Sequence, residues 1–119
     1  MKQSANLYRI LANRFEKRKR YFEGYLDYAK AIKEKAGKIL GEVRVLVFGS
    51  IIGRRYSPDS DIDILVISDN IPDSVLAGTK IKLQLTKDFI SSPFQIHLVT
   101  PEQYAGWYKN FIKKNYVEI

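Results

Sequence analysis

Apolar side chains recur at three- and four-residue steps through the first third of the chain, at Leu7, Leu11, Phe15, Phe22, Tyr25, Ala29, Ile32, Ala36 and Ile39, with Arg18 standing in the gap. That spacing lays one stripe along a long helix. Gly41 follows where a left-handed C-terminal cap would stop it, Lys35 and Lys38 complement the dipole, and Gly24 marks a bend or break within it. From Val43 the period changes to two, with Val43, Val45 and Val47 on one face and Leu46 and Phe48 on the other, the pattern of a buried strand. Ile62 to Ile67 repeats the type, and Tyr56-Ser57-Pro58-Asp59-Ser60 before it reads as loop and turn. This stretch therefore predicts strand, Gly-Ser turn, short helix, strand. Residues 73–90 fit two periods: Ile81, Leu83 and Leu85 alternate, while Val75, Leu76, Leu83 and Phe89 suit a helix, which is the preferred reading. Phe94 to Val99 is a third strand. Thr100-Pro101-Glu102-Gln103 is a capping box with proline at the first helical position, and a last helix follows. Its face of Tyr104, Trp107, Tyr108, Phe111 and Ile112 reads as core or dimer surface before base-stacking platform.

These elements predict an α+β (α/β-like) domain: a small mixed β-sheet flanked by helices, led by a long N-terminal helix. At 119 residues with 45% hydrophobic content the chain suits one domain over 1–119, with a basic helical region at 1–41 and the sheet core and C-terminal helix at 42–119. No apolar run approaches the roughly 20 residues that cross a bilayer, and the N-terminus is too polar for a secretory leader, so a cytoplasmic protein with no membrane partner is expected.

Composition then narrows the chemistry. There is no cysteine, which excludes disulfide frameworks, thiolate metal sites and cysteine nucleophiles; a single histidine, His97, cannot build a multi-histidine zinc site. The net charge of +7 is unevenly placed. Residues 1–41 hold 11 Lys/Arg against 4 Asp/Glu, whereas residues 42–119 hold 9 of each, so the excess lies on the N-terminal third. Arg14, Lys17, Arg18, Lys19 and Arg20 crowd one part of it. Such a run is a solvated face before it is a nucleic-acid contact.

One constellation carries reaction chemistry. Asp61 and Asp63 head a strand, and the two-residue period turns both carboxylates to one face. Like charges so close repel unless a cation lies between them, and hard oxygens at this spacing suit Mg²⁺ or Mn²⁺. An Asp-any-Asp pair alone is common in solvated turns. Gly49 and Ser50 change its meaning, because they sit where the preceding strand ends: glycine lets backbone N–H groups approach phosphate oxygens, and a helix starting at Ser50 would add dipole and hydroxyl. A phosphate grip beside a metal pair is what phosphoryl or nucleotidyl transfer requires, since positioning and charge neutralisation do most of that catalysis.

At these residues the sequence resembles the DNA polymerase beta-type nucleotidyltransferase superfamily, specifically its minimal nucleotidyltransferases. The matching text is Phe48-Gly49-Ser50-Ile51-Ile52-Gly53 followed by Ser57-Pro58-Asp59-Ser60-Asp61-Ile62-Asp63-Ile64-Leu65-Val66. The order of elements from Ala29 to Ile119 is similar to archaeal members, and the resemblance extends to antitoxin-type members. It implies the nucleotidyltransferase fold, with Gly49 and Ser50 gripping a triphosphate, expected to be ATP, and Asp61 and Asp63 ligating Mg²⁺ or Mn²⁺. Arg54 and Ser60 join the nucleotide-binding set, with Arg55 as a further phosphate contact in the same loop; solvated loop arginines are the competing reading of Arg54 and Arg55. The resemblance also implies a third carboxylate on a neighbouring strand, where this chain has Gln95, on the same face as His97. An amide offers an oxygen but neither charge nor base. Glu102 could substitute, although its position suits a first-turn dipole partner. His97 reads as a satisfied, semi-buried histidine. The resemblance implies transfer of a nucleoside monophosphate to a hydroxyl on a protein or other acceptor, made slow by Gln95. The alternative it implies is a catalytically impaired, antitoxin-like module that docks on a helical HEPN-domain partner.

Overall fold

The computed structural model describes residues 2–57 and 59–119; Pro58, within the predicted turn, lies outside them. The stripe expected of one long helix is divided in two. α1 spans Lys2–Glu23 and α2 spans Tyr25–Leu40, with Gly24 between them at φ −104° and ψ 22°, outside helical geometry. The division matters for packing. α2 buries Ala29, Ile32, Ala36 and Leu40 completely or nearly so, and Phe22 at the end of α1 is also buried. Leu7, Leu11 and Phe15, predicted on the same stripe, are instead 56%, 36% and 42% exposed, because the break carries the start of α1 away from the sheet. Ile39 is likewise exposed, and Leu40 takes the inward position. Gly41 does end α2, donating its N–H to the Gly37 carbonyl at 3.0 Å. Its φ of 81° with ψ of −138° is not the left-handed helical cap expected, yet it still favours glycine. Of the two dipole lysines, Lys38 is in the last turn, whereas Lys35 pairs with Asp88 below the third helix.

β1 (Arg44–Phe48) and β2 (Ile62–Ile67) pair antiparallel, with Phe48 opposite Asp63, and β3 (Phe94–Val99) pairs parallel to β2. Between β2 and β3 runs α3 (Val75–Thr86), the helix preferred for that ambiguous segment; Ser74 caps it, its hydroxyl accepting from the Ala77 N–H. The alternating Leu83 is 64% exposed while Leu85 is fully buried, as a helix and not a strand requires. After β3 the capping box forms as expected, with Thr100 and Gln103 exchanging hydrogen bonds. The chain then continues through α4 (Pro101–Gln103), a π-helical turn (Tyr104–Tyr108) and α5 (Lys109–Ile112). A fourth strand, β4 (Tyr116–Glu118), was not foreseen; it pairs antiparallel with β1 and completes the order β3-β2-β1-β4.

The mixed sheet separates two apolar clusters, as the alternation in β1 predicts. Val45 and Val47 face α2 with Ile62, Ile64, Val66 and Leu85, while Leu46 and Phe48 face the C-terminal helices with Leu65, Ile67, Val99 and Ile112. The polar residues on this second face, Asp63, Gln95 and His97, gather where β1 ends, the first two side by side in the register. No helix among the described residues is long and apolar enough to cross a membrane.

Candidate active site

The Gly-Ser turn begins where β1 runs out. Gly49 takes φ of 92°, a conformation side chains rarely adopt, and turns the chain across the end of β2. The expected short helix from Ser50 does not form. Residues 51–54 are successive tight turns, closed by Ile52 N–H to Gly49 carbonyl (3.2 Å), Arg54 N–H to Ile51 carbonyl (3.2 Å) and Arg55 N–H to Ser50 carbonyl (3.0 Å). The helix dipole expected at Ser50 is therefore missing, and the N–H groups of Ile52, Arg54 and Arg55 are spent inside the turn; those of Ser50, Ile51 and Gly53 stand outside these three bonds. Arg54 takes the strained φ of 54° that lets the loop reverse.

Asp63 sits under this turn. A Cβ placed on Gly49 would lie 2.4 Å from Asp63 Oδ2, so only glycine leaves that oxygen its place. The other oxygen, Oδ1, is 3.1 Å from His97 Nε2. A carboxylate can only accept, so the imidazole carries its proton on Nε2. Asp63 is thus held at Oδ1 while its Oδ2 lies in the room glycine leaves, and His97 is the satisfied, half-buried histidine expected, with its partner now named. Phe48 and Tyr108 flank its ring at 5.5 and 6.3 Å. The strand register sets Gln95 directly beside Asp63, and Gln95 is exposed. Asp61 lies just before β2, exposed, and Glu102 is in the first turn of α4, beyond the far end of β3.

A cleft of about 450 Å³ abuts the turn, lined by Phe48, Gly49, Ser50, Arg55, Phe111 and Asn115 among others. Arg55 reaches this cleft, whereas Arg54 lines a different one with Tyr25 and Val117. Trp107 and Phe111 stack at 5.2 Å with their planes 7° apart, and both are more than half exposed, so part of the aromatic face read as core or dimer surface points outward. Ser60 holds the loop: its hydroxyl accepts from the Ser57 N–H at 2.9 Å, and its carbonyl accepts from Arg18 Nη2 at 2.6 Å. The Arg18 contact was invisible in the sequence, because 42 positions separate the partners.

A sheet of this topology whose edge combines a glycine turn with an aspartate at the head of the next strand defines a nucleotidyltransferase scaffold. The chain belongs to the nucleotidyltransferase domain family, whose model matches residues 27–118. A crystal structure of a candidate nucleotidyltransferase is similar at 32% identity, with a TM-score of 0.54, over 81% of this chain and 98% of that one. A second, of a candidate nucleotidyltransferase from Sulfolobus solfataricus, shares the fold at 22% identity and a TM-score of 0.53, covering 88% of this chain and 84% of the other. No curated protein matches the chain.

Proposed function

We propose that the chain binds a nucleoside triphosphate with Mg²⁺, ATP being the expected nucleotide, and transfers the nucleoside monophosphate to a hydroxyl of a protein or other acceptor. The observation that supports this reading is the packing of the Gly49 turn on Asp63, a glycine-led turn beside a carboxylate oriented by His97. The donor set fits a hard cation of the kind that keeps water and substrate phosphates as ligands: two aspartates two residues apart, with Asp63 Oδ2 lying against the glycine turn. It does not suit a cage built by protein alone, since the described residues contain no cluster of three or more His, Asp or Glu arranged for a metal. The metal supplies neutralisation of phosphate charge when bound. Asp61 and Asp63 would hold it. The Gly49–Ser50 turn would take the phosphates, with Arg55, in the same cleft, as the nearer guanidinium and Arg54 and Ser60 as further contacts. Phe111 and Asn115 offer the nucleoside an apolar wall and an amide.

In the transfer, the acceptor oxygen bonds to the α-phosphorus, the bond from that phosphorus to the bridging oxygen breaks, and pyrophosphate leaves. The acceptor's proton needs a base. Gln95, beside Asp63 in the register, can orient a hydroxyl but cannot take its proton. Slow transfer is therefore expected. The same amide, together with the exposed apolar and basic α1, favours a second reading as an antitoxin-like module that binds nucleotide and docks on a HEPN-type partner.

Calorimetry with Mg²⁺ and each of ATP, GTP, CTP, UTP and inorganic triphosphate tests the site. Wild type should bind, and the Asp61→Asn, Asp63→Asn double variant should lose at least tenfold in affinity. Equal binding by the two proteins would overturn the assignment.

A further inference from the structure

α1 precedes the part of the chain that matches the family, which begins at residue 27, so nothing about the family assigns it a task. Its last two turns nevertheless touch the loop that delivers Asp61. Arg18 and Phe22 are four residues apart and share one helix face. Phe22 is 4% exposed, and its ring stacks on Tyr56 with centroids 4.5 Å apart and planes within 1°. Arg18, half-buried, donates Nη2–H to the Ser60 carbonyl. The two contacts fall at the two ends of the segment from Tyr56 to Ser60.

The second contact is the informative one. The carbonyl gripped by Arg18 belongs to the peptide unit whose nitrogen is that of Asp61, and the unit is planar, so fixing its oxygen fixes the direction in which the chain enters Asp61. The loop's own ties are local: Ser60 N–H to the Ser57 carbonyl at 2.9 Å and Ser57 N–H to the Ser60 hydroxyl. They define the turn but do not anchor it to anything else. β2 pairing begins only at Ile62, whose N–H donates to the Pro93 carbonyl at 2.8 Å, so Asp61 stands between an anchored strand and a turn held from α1. A carboxylate that must meet a cation within a few tenths of an ångström needs this kind of support.

We infer that Arg18 and Phe22 make α1 a clamp on the site loop, with Arg18 the positioning residue for Asp61. The inference rests on the reading of Asp61 as part of a Mg-nucleotide site. The helix that carries the clamp also carries the exposed Leu7, Leu11 and Phe15, so whatever engages that stripe pulls on the element that sets Asp61.

Phe22 is a core residue whose loss could unfold the protein, so Arg18→Ala and Tyr56→Ala are the test variants. Arg18→Lys is the conservative one, since lysine keeps one donor but not the planar fork. Lys17→Ala, an exposed neighbouring cation, controls for charge. Hydrogen exchange on the free protein should show the amides of residues 55–57 and 59–61 exchanging at least fivefold faster in Arg18→Ala and Tyr56→Ala, with β1, β2 and β3 unchanged. Mg-triphosphate affinity should fall about tenfold in Arg18→Ala, recover in part in Arg18→Lys and stay at the wild-type value in Lys17→Ala. Wild-type exchange in Arg18→Ala would overturn the clamp. Faster exchange with unchanged affinity would overturn the positioning of Asp61. If the Asp61→Asn, Asp63→Asn control binds as wild type does, the site reading fails, and the role given to Arg18 falls with it.

Discussion

Gly49 and Asp63 occupy space that a single methyl group would contest: a Cβ on Gly49 would stand 2.4 Å from Asp63 Oδ2, and Gly49 already holds φ of 92°. The end of one strand and the second residue of the next are thereby fitted to each other, and His97 holds the far oxygen of the same carboxylate. Gly49→Ala should therefore displace Asp63 as well as strain the turn, costing about 1–3 kcal/mol of stability. Gly53→Ala is the comparison, because its nearest neighbours are the Arg55 side chain at 3.8 Å and a carbonyl at 4.0 Å. Urea denaturation should separate the two by at least 1 kcal/mol. Equal stabilities would mean that the turn relaxes and that the fit to Asp63 is not required.

Gln95 separates enzyme from binding module. Gln95→Glu adds a carboxylate beside Asp63 in the register and should tighten Mg²⁺ or Mn²⁺ binding and raise nucleotidyl transfer at least tenfold, measured with labelled nucleotide and candidate protein or RNA acceptors. Robust wild-type activity that Gln95→Glu leaves unchanged would place the base elsewhere, and Glu102→Gln would then report whether Glu102 supplies it. Nucleotide binding without transfer by either form favours the binding module.

The exposed stripe of α1 is flanked by cations, so an acidic partner surface should engage it. Charge reversal at Arg14, Lys17 and Lys19 should weaken capture of such a partner at least tenfold in low salt, and less at 0.5 M salt, where screening is strong. Affinity that is indifferent to both charge and salt would leave the stripe without a binding role.

Arg44 and Glu118 tie β1 to β4, with Nη2 to Oε1 at 2.8 Å and Nε to Oε2 at 3.1 Å. The hydrogen bond from Arg44 holds the Glu118 carboxyl below its ordinary range, chiefly against the cost of burial, and raises the guanidinium correspondingly. A carboxyl depressed in the folded state contributes stability above its unfolded pKa, and the contribution is lost as pH falls through the folded value. Both side chains are over 40% exposed, so solvent screening limits the pair to about 0.5 kcal/mol. Glu118→Gln should lower the melting temperature slightly at pH 7 and not at pH 2.5. An equal loss at both would assign the effect to packing of β4.

Much of this molecule is written in short-range periodicity. The stripe of α2, the three long strands, the two-faced alternation of β1 and the capping box at Thr100 are local rules, decided by which side chains repeat at 3.6 or 2 residues, and the structure keeps them. Gly49, Ser50, Asp61 and Asp63 were nameable because the chemistry they suit depends on residue type and spacing. What tertiary structure decided is what distant segments do to one another. Three residues of β4 carry too little pattern to announce a strand, and exist because β1 had an open edge to fill. The helix expected at Ser50 gave way to turns closed by local hydrogen bonds, with Arg54 at positive φ ending the run. Phe15 looked like core by period, but a break at Gly24 carried it away from the sheet. Above all, the hold of His97 on Asp63 and the reach of Arg18 to Ser60 join residues 34 and 42 positions apart. No local period encodes such pairs, because the free energy that selects them is gained only when the sheet register and helix placement have brought them within hydrogen-bonding distance.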